Sequence, residues 1–301
     1  MPELPDVLLY IESLKPRILN QPLEKVRLGS PFVVRSVTPP ISAINGKSVR
    51  ALSRLGKQII WEFEGELFLV IHLMIAGRFQ WKPRDAKIPG KLGLAAFDFP
   101  TGTLLLTEAG SKKRASLHLV QGRSALAAFD RGALEVLDSS FEAFQHALTR
   151  ENHTLKRALT DPRLFSGIGN AYSDEILHRA RLSPMKLTSK LSAEEIVRLH
   201  EAVKSTLRDW IERLQTETGS DFPSKVTAFR PEMAVHGRYG EPCPACGSPV
   251  QRIVYAENEC NYCATCQTEG RLLADRALSR LLKQDWPRSL EDWETHLESR
   301  R

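Results

Sequence analysis

The sequence predicts an α+β protein that is built from several domains. Three observations support this prediction. Short β-type runs fill the chain from about Pro22 to Leu137, helical spacing prevails after Asp138, and all five cysteines lie between Cys243 and Cys266. With 301 residues, the chain is long enough for two domains and a small third unit. A hydrophobic content of 42% and a charged content of 26% are ordinary for a globular protein.

The first predicted element is a helix from about Asp6 to Ile18, where apolar residues recur along one face. Short strands follow, separated by turn signals such as Glu64-Gly65-Glu66: Ser48–Leu55, Gln58–Phe63, Phe68–His72 and Gly93–Phe99. Strands at such close spacing predict a sandwich or a barrel. The most apolar stretch, Leu67–Ala76, is too short to span a membrane and therefore predicts a buried strand.

Helical patterns occupy the middle of the chain, over Phe141–Thr149, Thr154–Leu159, Ala171–Ala180 and Ala193–Leu214. Ser192 and Glu195 have the spacing of a capping box at the start of the last helix. The polar stretch from Gln215 to Arg230 contains Gly219 and Pro223, and it predicts a mobile loop.

Charge and cysteine usage restrict the function classes. The net charge of +6 favours a polyanionic partner such as nucleic acid. The first residues are acidic and contain proline, which is unlike a secretion signal. Cysteines clustered in one short segment indicate metal ligation in a reducing compartment rather than disulfides. We therefore expect a cytoplasmic protein of bacterial type that does not bind membranes.

The cysteines form two C-x₂-C pairs, Cys243 with Cys246 and Cys263 with Cys266, and sixteen residues separate the pairs. This spacing predicts one tetrahedral Zn²⁺ site. Because protein thiolates would occupy all four positions, the site is expected to be structural rather than catalytic. Cys260 also forms a C-x₂-C pair with Cys263, but Gly247 and the spacing favour the outer pairs.

Pro2 and Glu3 are the first candidates for catalysis. Removal of Met1 would leave Pro2 with a secondary amine at the amino terminus, a group whose unperturbed pKa is about 7.7–8. Attack of this amine on a sugar C1′ or an aldehyde gives an iminium ion. Glu3 could supply or accept the proton that such a reaction requires. The alternative interpretation is an extended peptide that only leads into the first helix.

Three further motifs have chemistry that suits a phosphate backbone. Gly167-Ile-Gly-Asn170 opens a predicted helix, whose unpaired N–H groups can bind phosphate, although a simple turn between helices has the same pattern. Lys57 precedes an apolar strand, and Lys112, Lys113 and Arg114 are consecutive cations in a loop. Each of these cations could contact phosphate or be solvated.

A set of motifs occurs in one order along nearly the whole chain: Met-Pro-Glu-Leu-Pro at the start, Arg-Leu-Gly-Lys57, His72-Leu with Gly77-Arg78, Gly-Ile-Gly-Asn170-Ala-Tyr-Ser-Asp-Glu175, and Gly-Glu-Pro-Cys243 through Cys266-Gln. Each motif is weak or moderate alone. Their joint order resembles the formamidopyrimidine-DNA glycosylase/endonuclease VIII family of base-excision repair enzymes.

The resemblance implies an N-terminal helix with a two-layer β-sandwich over residues 1–137. It further implies a helix–two-turn–helix DNA-binding domain with a lid-like loop over 138–234 and a zinc β-hairpin unit with a C-terminal tail over 235–301. It also implies action on damaged double-stranded DNA, with the protein expected to be a monomer.

The same resemblance assigns roles by position. Pro2 would attack C1′ of the damaged nucleotide, and Glu3 would help to open the sugar ring. Lys57, Lys156 and Asn170 would contact the phosphates around an extruded nucleotide. The iminium intermediate would permit β-elimination and then δ-elimination, so the enzyme would be both a glycosylase and an abasic-site lyase.

Several positions depart from the family pattern. Asn258 stands where the zinc hairpin usually carries an arginine, with Glu257 and Glu259 beside it. The segment Glu108–Ala115 replaces a loop that carries an aromatic wedge, and Ile75 replaces a void-filling methionine. Asp6 replaces the usual glutamate. We expect the chemistry at C1′ to be retained, while the lesion stays open among oxidised pyrimidines, ring-opened purines, abasic sites and bulkier adducts.

Two other classes of protein remain as alternatives. One is a non-catalytic DNA-binding protein on the same scaffold, which Asn258 and the altered loop would favour. The other is a zinc-ribbon protein that binds RNA or the ribosome, which would leave Pro2 and Glu3 without a role.

Overall fold

The computed structural model describes residues 1–110, 112–255, 258–273, 289 and 292 of the chain. The chain divides into two units: Met1–Ala133 with Asp209–Ala228, and Leu134–Arg208 with Phe229–Arg301. The division after residue 133 lies close to the predicted boundary at 137. The segment 209–228 belongs to the first unit, and the cysteine-containing segment belongs to the helical unit.

The first unit begins with α1 (Leu4–Ile18), followed by β1 (Lys25–Leu28), β2 (Val49–Leu55), β3 (Gln58–Phe63), β4 (Leu67–His72), β5 (Gly77–Lys82), β6 (Gly93–Phe99), β7 (Gly102–Glu108), β8 (Ser116–Gln121) and the short helix α2 (Arg123–Ala127). The strands form two four-stranded antiparallel sheets, with orders β1-β6-β7-β5 and β2-β3-β4-β8. The first sheet contains three strands that periodicity did not indicate.

The two sheets are the layers of a sandwich. Trp61 on β3 meets Phe97 on β6 with ring centroids 5.1 Å apart, and both belong to one continuous buried core with residues of α1. The alternate residue Ile60 faces a smaller cluster that includes Phe129. Both faces of β3 are thus covered, which explains why its sequence is apolar without clear alternation. The sandwich is confirmed, and the alternative of a barrel is excluded for these strands.

The segment after residue 214 differs from the predicted mobile loop. Helix α6 (Ala193–Thr218) continues four residues beyond the predicted end and stops before Gly219, whose φ is +56°. Beyond it, Val226 is buried in the core of the first unit, and Phe222 lies 6.0 Å from the ring of Tyr10. The hydrophobic contacts of Phe222 and Val226 therefore fix this segment against the first unit.

The second unit contains α3 (Phe141–Thr149), α4 (Leu155–Thr160), α5 (Asn170–Arg179) and the first part of α6. The predicted capping box of α6 is confirmed, because the Ser192 N–H donates to Glu195 Oε2 at 2.9 Å and the Glu195 N–H donates to Ser192 Oγ at 3.3 Å. The hairpin of β9 (Val250–Tyr255) and β10 (Asn258–Cys263) follows, and then α7 (Ala264–Thr268). Along the described part of the chain, no helix combines the length and apolar character that crossing a membrane requires.

Candidate functional site

The amino terminus is held by α1. Pro2 and Glu3 are both buried, and Glu3 is the residue that precedes the first turn of the helix. The Glu3 N–H donates to Asp6 Oδ2 at 3.0 Å, so Asp6 still closes the helix start although it is shorter than the expected glutamate. Val7 and Tyr10 anchor α1 in the sandwich core. The backbone of Pro2 is therefore fixed by a rigid element.

Charged side chains surround this terminus. Burial lowers the pKa of the amino-terminal amine of Met1. The cations Arg78 and Lys57 lower this pKa further, against the opposing effect of the Glu3 and Asp6 carboxylates. A larger fraction of the amine is then neutral, and hence nucleophilic, near pH 7. The structure thus brings Glu3 and Lys57 together around the amino terminus and adds Arg78, to which the sequence analysis gave no role.

Lys57 lies in the two-residue turn between β2 and β3. Gly56 precedes it with a φ of +59°, which suits glycine in a tight hairpin. His72 pairs with Gln58 on the neighbouring strand, and it lies near the positive charge of Lys57. Burial, followed by the positive charges of Lys57 and Arg131, lowers the pKa of His72 to about 4. His72 is therefore a neutral side chain beside Lys57 at pH 7.

Ile75 lies in the turn between β4 and β5 and is 53% exposed. The turn is tight, because a Cβ on Gly77 would lie only 2.2 Å from the carbonyl oxygen of Leu73. Arg78 donates to the carbonyl oxygens of Ile75 at 3.1 Å and Gly77 at 2.7 Å, and it also donates to the carbonyl of Val226. The apolar side chain of Ile75 is therefore exposed to solvent on a turn that the hydrogen bonds of Arg78 hold in place.

The cationic loop between β7 and β8 adjoins this turn, since a Cβ on Gly110 would lie 3.7 Å from Ala76 Cβ. Glu108, which is 1% exposed, accepts hydrogen bonds from the N–H groups of Arg114 at 2.9 Å and Ala115 at 3.1 Å. The Lys113 ammonium donates to the Glu108 carbonyl. The loop therefore folds over a buried carboxylate and exposes the following cations: Lys112, Lys113 and Arg114.

In the second unit, Asn170 begins α5, directly after the glycines that the sequence singled out. Gly167 has a φ of +82°, which explains the glycine there. The Asn170 side-chain amide donates to the carbonyl of Glu259 on β10 at 2.9 Å. Lys156 is buried, and its ammonium donates to the Asn170 carbonyl at 2.6 Å. Lys156 and Asn170 are therefore in direct contact.

Asn258 is the first residue of β10, and its backbone pairs with Tyr255. Its side chain and Glu257 lie outside the described residues. The neighbouring Glu259 forms an ion pair with Arg252 at 3.6 Å, and the Arg252 guanidinium lies 4.2 Å from the centroid of the Tyr239 ring.

The four predicted ligand thiols meet in one cluster, with all four sulfur atoms within 4.8 Å of one another. The sulfurs of Cys243 and Cys266 are 3.9 Å apart, and those of Cys246 and Cys263 are 3.4 Å apart. Tetrahedral zinc with bonds of about 2.3 Å sets such sulfurs about 3.8 Å apart, so the cluster fits a metal ion of this kind. His178 Nε2 lies 3.2 Å from the Cys243 sulfur and can orient it.

Cys260 stands apart from these four. Its thiol donates to Asp174 Oδ1 at 3.2 Å inside the second unit. Burial, together with the Asp174 charge, raises the pKa of the Cys260 thiol, so it remains protonated. The choice of the outer cysteine pairs as the candidate ligands agrees with this geometry.

Comparison with known proteins identifies the family. Residues 1–123 match the formamidopyrimidine-DNA glycosylase N-terminal domain, and residues 133–221 match the H2TH domain of the same family. The chain is 34% identical over 281 residues to the formamidopyrimidine-DNA glycosylase of Thermus thermophilus, an alignment that covers 90% of this chain and all of that protein. An uncharacterized formamidopyrimidine-DNA glycosylase-like protein of Mycobacterium tuberculosis is 42% identical over 149 residues, which cover 50% of this chain and 92% of that protein.

Solved structures have the same fold. The Lactococcus lactis Fpg in complex with DNA that contains an abasic site superimposes with a TM-score of 0.78 at 26% identity, over 88% of this chain and 99% of that one. MutM in complex with DNA that contains carbocyclic 8-oxo-G gives a TM-score of 0.76 at 25% identity, over 89% of this chain and all of that one.

The fold and the matched domains define a DNA glycosylase of base-excision repair. More particularly, the chain belongs to the formamidopyrimidine-DNA glycosylase family.

Proposed function

We propose that the chain is a bifunctional enzyme, a DNA glycosylase with abasic-site lyase activity, that works as a monomer on damaged double-stranded DNA. The observation that carries this proposal is the environment of the amino terminus. The amino-terminal amine of Met1 is half-buried and has a lowered pKa, to which the positive charges of Arg78 and Lys57 contribute, and Glu3 is buried two residues further on. Once Met1 is removed, the secondary amine of Pro2 becomes the nucleophile in these surroundings.

The first step replaces the bond between C1′ and the base by a bond between C1′ and the Pro2 nitrogen. The base leaves with the electron pair of the broken bond and takes up the proton that the Pro2 nitrogen loses. Glu3 donates a proton to the ring oxygen as the sugar opens, and the Pro2 nitrogen and C1′ form an iminium ion. The Glu3 carboxylate that results can then take up a proton in the following step.

The iminium ion makes the C2′ protons acidic, which permits strand cleavage. Loss of a C2′ proton breaks the bond from C3′ to the 3′ phosphate oxygen by β-elimination. Loss of the C4′ proton in a second elimination breaks the bond from C5′ to the 5′ phosphate oxygen, and hydrolysis then releases the sugar fragment from Pro2. Each step moves protons and electron pairs only, so no oxidant is required.

The reaction requires an extruded nucleotide, because C1′ chemistry on a stacked base is sterically blocked. We assign phosphate contacts to Lys57, to the three cations of the β7–β8 loop, and to the backbone N–H groups at Asn170. Ile75 is positioned to enter the space that the extruded base leaves. Asn258 begins β10, the strand whose Glu259 carbonyl accepts a hydrogen bond from the Asn170 side chain.

The four-cysteine cluster is proposed to hold one structural zinc ion through Cys243, Cys246, Cys263 and Cys266. All four ligands come from the protein, so the metal would fold the hairpin rather than take part in the reaction.

The substrate class is proposed to be oxidised or ring-opened bases. In its support, relatives with this fold are called formamidopyrimidine-DNA glycosylases, and one was solved with DNA that contains Fapy-dG. The Ile75 turn and the β7–β8 loop differ from the family pattern, so the preferred lesion has to be measured with a panel of damaged duplexes.

Borohydride trapping on a duplex with one abasic site tests the chemistry. The native protein should form a covalent adduct with the DNA, while Pro2→Gly and a form with two extra N-terminal residues should lose most of it. The same two residues added at the C-terminus serve as the control. Equal trapping by the N-terminally extended form would refute the nucleophile assignment. DNA binding without any cleavage by the native protein would favour the non-catalytic alternative.

A further inference from the structure

We propose that Lys156 is a positioning residue that, paired with Asp174, locks the Gly167–Asn170 turn onto the β-hairpin and binds no DNA phosphate itself. The inference rests on the proposed function only in that this turn binds DNA. It assigns to Lys156 a role different from the phosphate contact that the sequence resemblance implies.

The ammonium group of Lys156 is fully engaged inside the second unit. It donates to the Asn170 carbonyl at 2.6 Å, to Ser173 Oγ at 2.8 Å and to Asp174 Oδ1 at 2.6 Å. A lysine ammonium has three N–H donors, so these acceptors occupy all of them. The side chain is only 6% exposed. A phosphate could reach this nitrogen only by displacing one of these partners.

Asp174 is the centre of this cluster, and its side chain is 0% exposed. Its Oδ1 accepts from Lys156 and from the Cys260 thiol, while its Oδ2 accepts from the Asn261 N–H at 3.1 Å and from His236 Nδ1 at 2.8 Å. Four donors suit the lone pairs of one ionised carboxylate. The hydrogen bonds and the ion pair compensate the buried charge of Asp174. Removing one partner, such as the Lys156 ammonium, would leave that charge uncompensated.

The cluster joins segments that are distant along the chain. Lys156 belongs to α4, Asp174 to α5, and Cys260 and Asn261 to β10, whereas His236 precedes the hairpin. Asn170 is held at two points, since its carbonyl accepts from Lys156 and its side-chain amide donates to the Glu259 carbonyl. The contacts of this cluster therefore fix the orientation of the backbone N–H groups at the start of α5. The positive charge of Lys156 is neutralised within it.

The salt dependence of DNA binding separates positioning from phosphate contact. The probe is a duplex with a chemically reduced abasic site. The slope of log K against log salt is negative, and each lost phosphate contact reduces its magnitude by about 0.9. We expect Lys156→Met to bind more weakly with an unchanged slope, because it disturbs the turn without removing a charge that faces DNA. A slope whose magnitude is reduced by about 0.9 would overturn the proposal.

A double variant supplies the second measurement. Lys156→Met leaves Asp174 buried without its cation, and Lys156→Met/Asp174→Asn removes that lone charge. The double variant should bind at least about threefold more tightly than Lys156→Met, a coupling that contacting residues commonly reach. If Lys156 instead bound a DNA phosphate, the second substitution would restore no binding. Binding by the double variant that is equal to or weaker than that of Lys156→Met would therefore contradict the proposed pairing of Lys156 with Asp174. If Lys156→Met fails to fold, the salt dependence of DNA binding by the double variant alone tests whether Lys156 contacts a phosphate.

Borohydride trapping by the native protein is independent of these results. Failure of the trapping reaction would remove the proposed chemistry, whereas failure of the salt-slope test would remove only the positioning role of Lys156.

Discussion

Arg78 donates a hydrogen bond to the backbone carbonyl of Val226, 148 positions further along the chain. The same guanidinium donates to the carbonyl oxygens of the β4–β5 turn and lies in the electrostatic field of the amino terminus. One side chain thus contacts the segment after α6, supports the turn that carries Ile75, and lowers the pKa of the amino-terminal amine of Met1.

Arg78→Met should shift the pH dependence of trapping. Arg78 lowers the pKa of the Met1 amine, and we expect the same effect on the Pro2 amine once Met1 is removed. Loss of Arg78 should then raise this pKa and leave less neutral amine at a given pH. The rising limb of the trapping rate should therefore move to higher pH. The measurement is single-turnover trapping across pH 5.5–9, with Lys91→Met as the matched control at an exposed cation. A lower rate without a shift of the profile would leave Arg78 only its anchoring role.

Gly77→Ala should destabilise the first unit. The added Cβ would lie 2.2 Å from the Leu73 carbonyl oxygen, so the backbone of the turn has to move, at a cost of about 1–3 kcal/mol. Gly90→Ala is the control, because no heavy atom lies within 4 Å of its added Cβ. Urea unfolding measures both. Equal stabilities of the two variants would show that the turn relaxes freely.

Replacing Lys112, Lys113 and Arg114 together by glutamine should weaken binding to abasic duplex and reduce its salt dependence. Each phosphate contact that is lost reduces the magnitude of the slope of log K against log salt by about 0.9. Exposed Lys82, Lys87 and Lys91, replaced together by glutamine, provide the charge-matched reference. Should the two sets of variants have the same slope, the loop cations are merely solvated.

His72 should make the first unit less stable as the pH falls. Its pKa of about 4 in the folded chain is below the ordinary value of 6.5, so the unfolded state takes up a proton first. Between pH 7 and pH 5 this linkage removes about 2 kcal/mol of unfolding free energy. His72→Gln should lose less stability over this range, as measured by urea unfolding at both pH values. An identical pH dependence would contradict the lowered pKa.

One zinc ion per chain is expected by elemental analysis of the purified protein. Cys263→Ser should lose the ion and unfold the hairpin, because a structural site of this kind contributes folding energy directly. Cys260→Ser should keep it, since Cys260 lies outside the cluster. Loss of zinc from both variants to the same extent would show that Cys260 is a ligand.

The local sequence pattern was sufficient to predict those strands and helices whose structure depends on residues within one short segment. Gln58–Phe63 and Gly93–Phe99 are strands as predicted, and Phe141–Thr149 is a helix as predicted, because periodicity and turn signals act within each segment. The strand β7 escaped detection. Its centre is a run of three leucines, and a short run of leucines does not distinguish a strand from a buried helix segment.

The sequence by itself determined the family motifs, the four cysteines that lie together, and the order of the main elements, since each depends on residue type and local spacing. Only the tertiary structure decided that Arg78 faces the amino terminus, that Glu108 folds the cationic loop, and that Asp174 engages Lys156, His236 and Cys260. These groups are far apart along the chain. Burial and hydrogen bonding between distant segments bring these groups together, so their contacts cannot be predicted from the sequence of any single segment.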